Sequence, residues 1–346
     1  MIKKVIITGI AGQDGSYLAN YLINKGYRVI GILKKKKLNN LDYFNIKNKI
    51  KYLYCDLSNF KKISSYIKKI KPYLFFNLAG VSSLEESFQN PIYTDKINNS
   101  AVLNILENIK KYSKKTRFFQ ASSSEIFSEK EKKKVNENSN FNPKTPYSIA
   151  KLSALHYVNM YRDYHNIYAV NGILFNHESP LRKNNFITKK IIKELVKYKL
   201  KKNKNKIIKL GNVNSLRDWG DAEDYVKVIY KTLKINKAYN FIICTGIKRS
   251  IKDFINIVCK QLNIKIKWLK NKKTEIALDT ETNKIIIKSS KKLFRDDSFY
   301  NFFGDNSRAK NLLKWNVDTS INKLIQKMIN FELRNQNQNY NNLSKN

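Results

Sequence analysis

Hydrophobic and polar residues alternate along the first half of the chain in a pattern that predicts strands and helices in turn. Runs of β-branched and aromatic residues predict strands at residues 5–7, 28–33, 51–54, 73–78, 117–121 and 168–174. Apolar residues at helical spacing predict helices at residues 15–25, 61–70, 95–113 and 147–165. Strands that alternate with helices are typical of an α/β fold with a doubly wound parallel sheet.

The rhythm changes after Phe175, where Lys-rich helices and short strands predict a smaller α/β region over the carboxyl edge of the sheet. Its helices are predicted at residues 186–200, 222–233 and 251–262, and its strands at 207–210 and 241–244. We expect one domain in residues 1–175, with return segments near 218–246, and an interleaved substrate-binding region in 176–217 and 247–330. Residues 129–142 are expected to form a loop, and residues 331–346 a disordered tail.

Charge and composition restrict the class of protein. The formal net charge of +40 raises the question of nucleic acid, because clustered Lys and Arg neutralise phosphates. Lys is spread over every segment without a basic cluster that interleaves aromatic residues, so no nucleic-acid partner is expected. The first apolar run breaks at Gly9, too early for a signal peptide or membrane span, and the three cysteines lack disulfide or metal spacing. We therefore expect a cytoplasmic protein with no membrane or metal partner.

Three glycines follow the first predicted strand at the spacing G-x-x-G-x-x-G. Gly9, Gly12 and Gly15 lie between that strand and a predicted helix. Glycines permit a tight turn and let the backbone approach a pyrophosphate, which the N-terminus of the helix stabilises. A purely structural turn is the alternative. Because the chain has only eleven glycines, three in this register favour a dinucleotide-binding sheet of the Rossmann type.

The end of the second predicted strand bears on the choice of cofactor. An acidic residue there would hydrogen-bond the ribose 2′-hydroxyl of NAD, but the chain has four consecutive lysines from Lys34 to Lys37. These lysines would attract a 2′-phosphate, so NADP is the predicted cofactor. The alternative is that they form only a solvated surface.

Tyr147 and Lys151 stand four residues apart on a predicted helix, so the ammonium can lie beside the phenol. A phenol with an ordinary pKa of about 10 is a poor base at neutral pH, and a nearby cation favours the phenolate. Spacing alone decides nothing, because five Tyr/Lys pairs share it, where about three or four are expected by chance. Only this pair opens a long helix after Pro146 and follows a strand that ends near Ser123 and Glu125.

The two segments around this pair resemble the active-site signature of a known family. Gln-Ala-Ser-Ser-Ser-Glu at 120–125 and Pro-Tyr-Ser-Ile-Ala-Lys at 146–151 are similar to that of the GDP-mannose 4,6-dehydratases, which are extended short-chain dehydrogenases. Residues 8–18, 171–180 and 217–220 are also similar to the family, and the resemblance extends from Lys3 to about Ile329. The run Asn-His-Glu-Ser-Pro at 176–180 is the most specific, because related reductases and epimerases diverge there.

The resemblance implies a lyase that dehydrates a GDP-hexose, GDP-mannose in the first place, by internal hydride transfer through NADP. Tyr147 would remove the proton of the sugar 4-hydroxyl, and Ser123, where the family has Thr, would orient the 4-oxygen. Glu125 would take the C5 proton before the C6 hydroxyl leaves as water. Lys151 would bind the nicotinamide ribose and lower the pKa of the phenol. A solvated loop carboxylate is the alternative for Glu125.

The resemblance also implies residues that bind the cofactor and the sugar nucleotide. Besides the catalytic pair, the cofactor would contact Gly9, Gly12, Gln13, Asp14, Gly15, Lys34, Asp56, Leu57, Leu78, Ala79, His177 and Arg182. The GDP-sugar would contact Asn176, Lys190, Arg217 and Arg295. Members of the family form dimers, so a homodimer or homotetramer built on the helices at 95–113 and 147–165 is expected.

Departures from the family pattern leave the sugar open. The family usually continues Pro-x-Glu after the residue that corresponds to Arg295, but two aspartates and a serine follow here. The segment after Asn77 lacks the usual Gln and His, and Phe127 and Ser128 replace a Tyr-Gly pair. Another GDP-hexose or a GDP-heptose is therefore an alternative substrate. A reductase or epimerase, which needs no C5 base, and a non-catalytic NADP-binding regulator are alternative functions.

Overall fold

A seven-stranded parallel sheet forms the centre of the protein. The computed structural model describes residues 2–36, 38–127, 129–201, 206–271, 274–290, 293 and 300–343. Numbered in chain order, the strands of this sheet are β1 (Lys4–Thr8), β2 (Arg28–Leu33), β3 (Lys51–Tyr54), β4 (Leu74–Asn77), β5 (Arg117–Ser123), β7 (Ala169–Leu174) and β12 (Asn240–Ile243). Their order is β12-β7-β5-β4-β1-β2-β3, and every neighbouring pair is parallel. The predicted α/β class with a doubly wound sheet is confirmed.

Helices follow most of these strands. They are α1 (Gln13–Asn24), α2 (Asn39–Asp42), α3 (Phe60–Ile70), α4 (Leu84–Gln89), α5 (Pro91–Asp95), α6 (Ala101–Tyr112), α7 (Pro146–His165), α8 (Ile187–Lys199), α9 (Ala222–Thr232), α10 (Ile251–Gln261), α11 (Ser307–Leu313) and α12 (Ile321–Leu343). The single helix predicted at 95–113 is interrupted, because a π-helical turn at Lys96–Ser100 joins α5 to α6. Within the described part of the chain, no helix is both long enough and apolar enough to cross a bilayer.

Helices cover both faces of the sheet, which is why its strands are apolar at consecutive positions. One core cluster contains Val5, Ile7 and Phe119 together with residues of α1 and α9. A second cluster contains Ile6 and Phe118 together with residues of α3, α6 and α7. Because successive side chains of a strand point to opposite faces, the short run of residues 5–7 contributes to both clusters.

A smaller region has a core of its own. β14 (Ile266–Asn271), β15 (Thr274–Asp279) and β16 (Lys284–Ser289) form an antiparallel sheet, to which β9 (Ile208–Leu210) adds in parallel. Its apolar residues pack with α8, α10 and α12. Two further pairs of strands are β8 (His177–Glu178) with β11 (Gly220–Asp221), and β10 (Leu216–Asp218) with β13 (Lys248–Ser250). The sequence pattern predicts β9 but not the antiparallel sheet.

Two expectations from the sequence are wrong. The expected loop at 129–142 contains β6 (Glu129–Val135), which pairs in parallel with the distant β17 (Tyr300–Gly304) and brings Val135 into a buried cluster with Phe302. The expected disordered tail is helical up to Leu343, as the second half of α12. Partners elsewhere in the fold explain this helix, because Leu333 packs against the core of the smaller region and Glu332 pairs with a buried lysine.

The carboxyl ends of the parallel strands meet at one edge of the central sheet. Thr8 ends β1, Asn77 ends β4 and Ser123 ends β5, and these three strands are neighbours. α7 begins close to the end of β5 and packs against it. Residues that are far apart along the chain are thereby collected at this edge, where ligands bind in open α/β sheets.

Candidate active site

The glycine-rich turn after β1 closes tightly against the loop that follows β4. Gly9 has φ of +67°, a conformation that L side chains rarely adopt, and a Cβ there would lie 2.9 Å from Cα of Ala79. A Cβ on Gly15 would lie 2.3 Å from the carbonyl oxygen of Gly9. α1 begins directly after Gly12, and no side chain among the described residues caps its N-terminus. The turn fits a dinucleotide pyrophosphate, because the first N–H groups of α1 are left for an anion.

A buried hydrogen-bond network beside this turn joins β1, β4 and β5. The Thr8 hydroxyl donates to Oδ1 of Asn77 at 2.6 Å. It also accepts from the backbone N–H groups of Leu78 and Ala79, both at 3.1 Å. Nδ2 of Asn77 donates to Oε1 of Gln120 at 2.8 Å. The network fixes the backbone of the two residues after β4 that are predicted to contact the cofactor. Neither Thr8 nor Gln120 was predicted as a site residue, and the signal for both is a polar residue directly after an apolar run, residues 5–7 in β1 and residues 118–119 in β5.

Lys34, at the end of β2, is part of a polar cluster with Asp56 and Tyr93. Its Nζ lies 2.8 Å from the Asp56 carboxylate and donates to the Tyr93 hydroxyl at 2.8 Å, while Tyr93 donates to the same carboxylate at 3.0 Å. Burial raises the pKa of Asp56, but hydrogen bonds, first of all from Lys34, outweigh it and lower the pKa to about 2. The Lys34 side chain is 56% exposed, so a ligand can reach its ammonium. Leu57, also predicted to contact the cofactor, is buried in the cluster that contains Ile6 and Phe118.

Ser123, Glu125 and Tyr147 come together where β5 ends and α7 begins. The Ser123 hydroxyl is hydrogen-bonded to the Tyr147 phenol and accepts from the backbone N–H of Glu125 at 3.2 Å. Burial raises the pKa of Tyr147 to about 12; the hydrogen bond to Ser123 lowers it and the charge of Glu125 raises it. A phenol in this setting stays protonated at neutral pH unless a cation favours its phenolate.

Lys151 lies one helical turn beyond Tyr147 and is buried. Its Nζ donates to the carbonyl oxygen of Ala121 at 2.8 Å and lies 5.8 Å from the centroid of the Tyr147 ring. Burial lowers the pKa of Lys151 to about 8, so the side chain still carries its charge at neutral pH. The predicted pair is therefore formed, with a positive charge beside the phenol ring.

The sequence before α7 explains why the helix begins where it does. The Thr145 hydroxyl accepts from the backbone N–H of Ser148 at 3.1 Å, and the Ser148 hydroxyl accepts from that of Thr145 at 2.9 Å. Pro146 occupies the first helical position, where a backbone N–H has no partner within the helix. This capping box fixes the first turn of α7 and with it the position of Tyr147.

A cleft next to Glu125 contains two of the residues predicted to bind the sugar nucleotide. It is lined by Ser124, Glu125, Phe175, Asn176, Leu216, Arg217, Asp218, Lys248 and Phe302. β10 and β13 pair in antiparallel fashion, which places Arg217 and Lys248 on adjacent strands. Two cations and the Asn176 amide are suitable partners for phosphate oxygens. Lys248 was not predicted, since one lysine in so Lys-rich a chain gives no signal.

His177 and Asp14, both predicted to contact the cofactor, form a nearly buried pair beside the glycine-rich turn. Nε2 of His177 lies 2.9 Å from Oδ2 of Asp14, and Nδ1 lies 2.7 Å from the carbonyl oxygen of Phe175. Nε2 of Gln13 donates to the carbonyl oxygen of His177 at 3.1 Å, and its Oε1 accepts from the Ser179 hydroxyl at 2.8 Å. These contacts fix the first turn of α1 against β8.

The remaining predicted residues, Arg182, Lys190 and Arg295, differ in where they lie. Nε of Arg182 is 3.1 Å from Glu178, and its charge is close enough to Tyr147 to lower the pKa of that phenol. Lys190 is exposed, donates to a backbone carbonyl of β9 at 2.9 Å, and does not line the cleft. Arg295 lies outside the described residues.

Solved structures with a similar fold include enzymes that act on nucleotide sugars. A UDP-glucose 4-epimerase of Thermotoga maritima has a TM-score of 0.78 and 18% identity, over 97% of this chain and 99% of that one. A dTDP-glucose 4,6-dehydratase of Bacillus anthracis, solved with NAD, has a TM-score of 0.78 and 18% identity, over 97% and 98%. At this identity the similarity establishes the fold alone.

Sequence relatives are more specific. A GDP-mannose 4,6 dehydratase of Dictyostelium discoideum is 34% identical over 339 residues, which cover 94% of this chain and 95% of that protein. A GDP-mannose 4,6 dehydratase of Homo sapiens is 33% identical over 339 residues, which cover 95% and 91%. A family model described as GDP-mannose 4,6 dehydratase matches residues 6–328. As the active-site segments predict, the chain belongs to the GDP-mannose 4,6-dehydratase family.

Proposed function

We propose that the chain dehydrates GDP-mannose to the GDP-4-keto-6-deoxy sugar, with NADP as a bound cofactor that is regenerated in each turnover. The observation that carries the proposal is the convergence of Ser123, Glu125 and Tyr147 next to a cleft that contains Asn176 and Arg217. Membership of the family, whose relatives bear the name of this reaction, supports it.

The glycine-rich turn supports the cofactor. The close approach of Gly9 to Ala79 and of Gly15 to Gly9 leaves the uncapped N-terminus of α1 open to a pyrophosphate. A nicotinamide cofactor, when bound, accepts a hydride from C4 of the sugar and returns it to C6. Solved structures with a similar fold include a Bacillus anthracis protein in complex with NAD and a Pseudomonas aeruginosa protein in complex with NADPH. Both ligands are nicotinamide dinucleotides, which supports a cofactor of this class.

Tyr147 is the residue that takes the proton of the sugar 4-hydroxyl. Burial raises its pKa to about 12, so the phenol needs help to act as a base near neutral pH. Lys151 places a positive charge beside the ring, which favours the phenolate. The hydrogen bond from Ser123 also lowers the pKa of Tyr147. Ser123 is also placed to orient the sugar 4-oxygen between itself and Tyr147.

Glu125 takes the proton from C5, which becomes acidic once C4 is a carbonyl carbon. The electron pair released at C5 expels the C6 hydroxyl, which leaves as water when it takes up the proton held by Glu125. Return of the hydride to C6 shifts the electron pair back to C5, which takes up the proton that Tyr147 removed from the 4-hydroxyl. Glu125 lines the cleft and its charge acts on Tyr147, so the two residues face one sugar. A reductase or epimerase that acts only at C4 has no use for a base at C5, so a cleft lined by Glu125 favours elimination over those two reactions.

Two substitutions separate oxidation from elimination. Tyr147→Phe should abolish both product formation and exchange of the C5 hydrogen in deuterated water, because no ketone is formed. Glu125→Gln should allow oxidation at C4 but reduce C5 exchange and product formation by about 10² to 10⁴, the usual contribution of a positioned base. The measurement is mass spectrometry of the sugar nucleotide, together with absorbance of the reduced cofactor.

Glu85→Gln, on the exposed surface of α4, is the matched control and should keep full activity. Near-normal exchange and turnover in Glu125→Gln would remove Glu125 from the reaction. If the unmodified chain forms no 4-keto-6-deoxy product from GDP-mannose, the proposed substrate is wrong.

The preference for NADP over NAD can be tested at Lys34. Its ammonium is shared with Asp56 but is largely exposed, so it can also bind a 2′-phosphate. Lys34→Ala should weaken NADP binding by about tenfold, the usual worth of a hydrogen bond to a charged group, and leave NAD binding almost unchanged. Calorimetric titration of both cofactors measures this. An equal loss of affinity for NADP and NAD would mean that Lys34 acts only by fixing the position of Asp56.

A further inference from the structure

The imidazole of His177 faces a hydrogen-bond acceptor at each of its two nitrogens. Nδ1 lies 2.7 Å from the carbonyl oxygen of Phe175, and Nε2 lies 2.9 Å from Oδ2 of Asp14. A neutral imidazole has a single N–H, so it can satisfy only one of them. The other oxygen of Asp14 accepts from Nε2 of Gln13 at 3.1 Å, as expected of a carboxylate. The geometry therefore fits an imidazolium paired with a carboxylate.

The pair of His177 and Asp14 lies at the N-terminus of α1, where a negative charge would weaken the binding of an anionic ligand. Asp14 is the second residue of α1, in the helical turn whose N–H groups are open next to the glycine-rich turn. An unpaired carboxylate in this position would repel a pyrophosphate and cancel much of the attraction of the helix N-terminus. The imidazolium balances that charge from the side, with only 9% of its own side chain exposed.

We propose that protonated His177 neutralises Asp14, so that the N-terminus of α1 can bind the pyrophosphate of the dinucleotide, and that loss of this proton weakens cofactor binding. This inference rests on the proposed function in one respect: it assumes that the ligand of the glycine-rich turn is a dinucleotide. In this role His177 is a positioning residue that acts through Asp14.

Other charged and titratable groups face the ring from each element packed against it. Arg182, after β8, opposes protonation of His177 but is paired with Glu178 at 3.1 Å. Tyr225 of α9 stacks on the imidazole at 4.6 Å between ring centroids, and burial raises the pKa of its phenol, so it stays neutral. Asp14 of α1 is the group that remains to stabilise the imidazolium.

The direction of the pH effect follows from these neighbours. Burial lowers the pKa of His177, but the charge of Asp14 and the hydrogen bond to it outweigh burial and raise the pKa above its ordinary value. Burial raises the pKa of Asp14, and His177 outweighs this and lowers it. Cofactor affinity should therefore be constant below the raised pKa of His177 and fall as the pH rises through it.

A double-substitution experiment tests the mechanism. NADP is titrated calorimetrically into the cofactor-depleted full chain at several pH values, without any sugar nucleotide. His177→Gln keeps a hydrogen-bond donor but loses the charge, so affinity should fall about tenfold. In Asp14→Asn, NADP affinity should no longer fall over the pH range in which it falls for the unmodified chain, because no carboxylate is left for the imidazolium to neutralise. The double variant should regain the affinity that His177→Gln loses, because no charge is left to neutralise.

The outcomes separate this inference from the proposed function. If the double variant binds as weakly as His177→Gln, the histidine acts by packing and the inference is overturned. If His177→Gln fails to fold, Asp14→Asn still decides, since an unchanged pH dependence in that variant contradicts the inference. Absence of NADP binding by the unmodified chain would overturn the proposed function instead.

The protonation state can be followed directly. The chain has only three histidines, so their ring signals can be resolved by nuclear magnetic resonance. The His177 signal should titrate above the ordinary value of about 6.5 and shift downward in Asp14→Asn. The exposed His156→Gln variant serves as the matched control and should leave both this titration and NADP affinity unchanged.

Discussion

Gly9 and Gly26 both have left-handed backbone conformations, with φ of +67° and +78°, but their surroundings differ. A Cβ on Gly26 would meet no atom within 4 Å, whereas a Cβ on Gly9 would meet the Ala79 backbone at 2.9 Å. Gly26→Ala should therefore lower the free energy of unfolding by about 1 kcal/mol, the cost of the conformation alone. Gly9→Ala adds steric overlap and should lower it by about 2 to 4 kcal/mol.

Urea denaturation of the two variants measures the difference, and Gly26→Ala is the matched control. Gly9→Ala should also weaken NADP binding, because relief of the overlap moves the loop after β4 away from the turn. Equal destabilisation of the two variants, with normal NADP binding in both, would show that the contact with Ala79 has no part in shaping the site.

At the scale of single residues, the sequence predicts the groups that belong to local patterns. The spacing of Gly9 and Gly15 and the context of Tyr147 and Lys151 are visible within short segments, and the structure places the last two together. The partner of His177 is 163 positions away along the chain, so no local pattern could indicate that its ring faces Asp14. Such contacts arise only when the carboxyl ends of separate strands meet.

The helices α7 and α10 both begin with a capping box, but only α7 carries a residue of the candidate active site in its first turn. Thr145 caps α7 and Ser250 caps α10, each in a capping box. Loss of either hydroxyl in Thr145→Ala or Ser250→Ala should lower the free energy of unfolding by about 1 kcal/mol. Only Thr145→Ala should also lower kcat, by several-fold, because α7 carries Tyr147 in its first turn. Urea denaturation and steady-state kinetics test this, and an equal kcat in both variants would show that the cap does not position the phenol.

At the scale of elements, prediction succeeded where periodicity is local and failed where pairing is distant. Both cores of the central sheet need continuous apolar strands, so β2 and β3 match the predicted bounds. β6 is rich in charged residues and forms by pairing with β17, from a remote part of the chain. The antiparallel sheet of the smaller region was also missed, because β14 and β16 each contain two lysines, which also suit a loop.

At the scale of the whole molecule, α12 links parts that the sequence assigns to separate regions. Leu333 packs against the core of the smaller region, while Phe331 packs against the central core and its ring lies 5.5 Å from that of Tyr43. Glu332 forms a buried ion pair with Lys189 of α8 at 3.0 Å. These contacts hold the smaller region over the edge of the sheet where the candidate active site lies. The sequence does not predict this packing, because residues 331–346 are mostly polar and only one side of α12 is apolar.

The exposed apolar surface indicates how two copies of the chain would associate. Large apolar side chains are exposed on three helices that pack together, α4, α5 and α7: Phe88, Ile92, Ile149, Met160 and Tyr164. In contrast, the apolar residues of α6 are mostly buried within the protomer. Scattered exposed apolar residues need no explanation, but a group of them on adjoining helices marks an interaction surface. The sequence predicts a dimer built on the helices at 95–113 and 147–165; from the exposed side chains we expect α7 to take part as predicted, with α4 and α5 in place of α6.

A single charge in this surface should break the dimer. Ile92 is 85% exposed, so Ile92→Glu should leave the folded protomer unharmed, yet it would place an unpaired carboxylate in the interface, where burial of a charge is costly. Sedimentation velocity at micromolar concentration should show a dimer for the unmodified chain and mostly monomer for Ile92→Glu. Ile247→Glu, at another exposed apolar position, in the loop between β12 and β13, is the matched control and should remain dimeric. A monomeric unmodified chain, or a dimer that survives Ile92→Glu while Ile247→Glu dissociates, would show that the interface lies elsewhere.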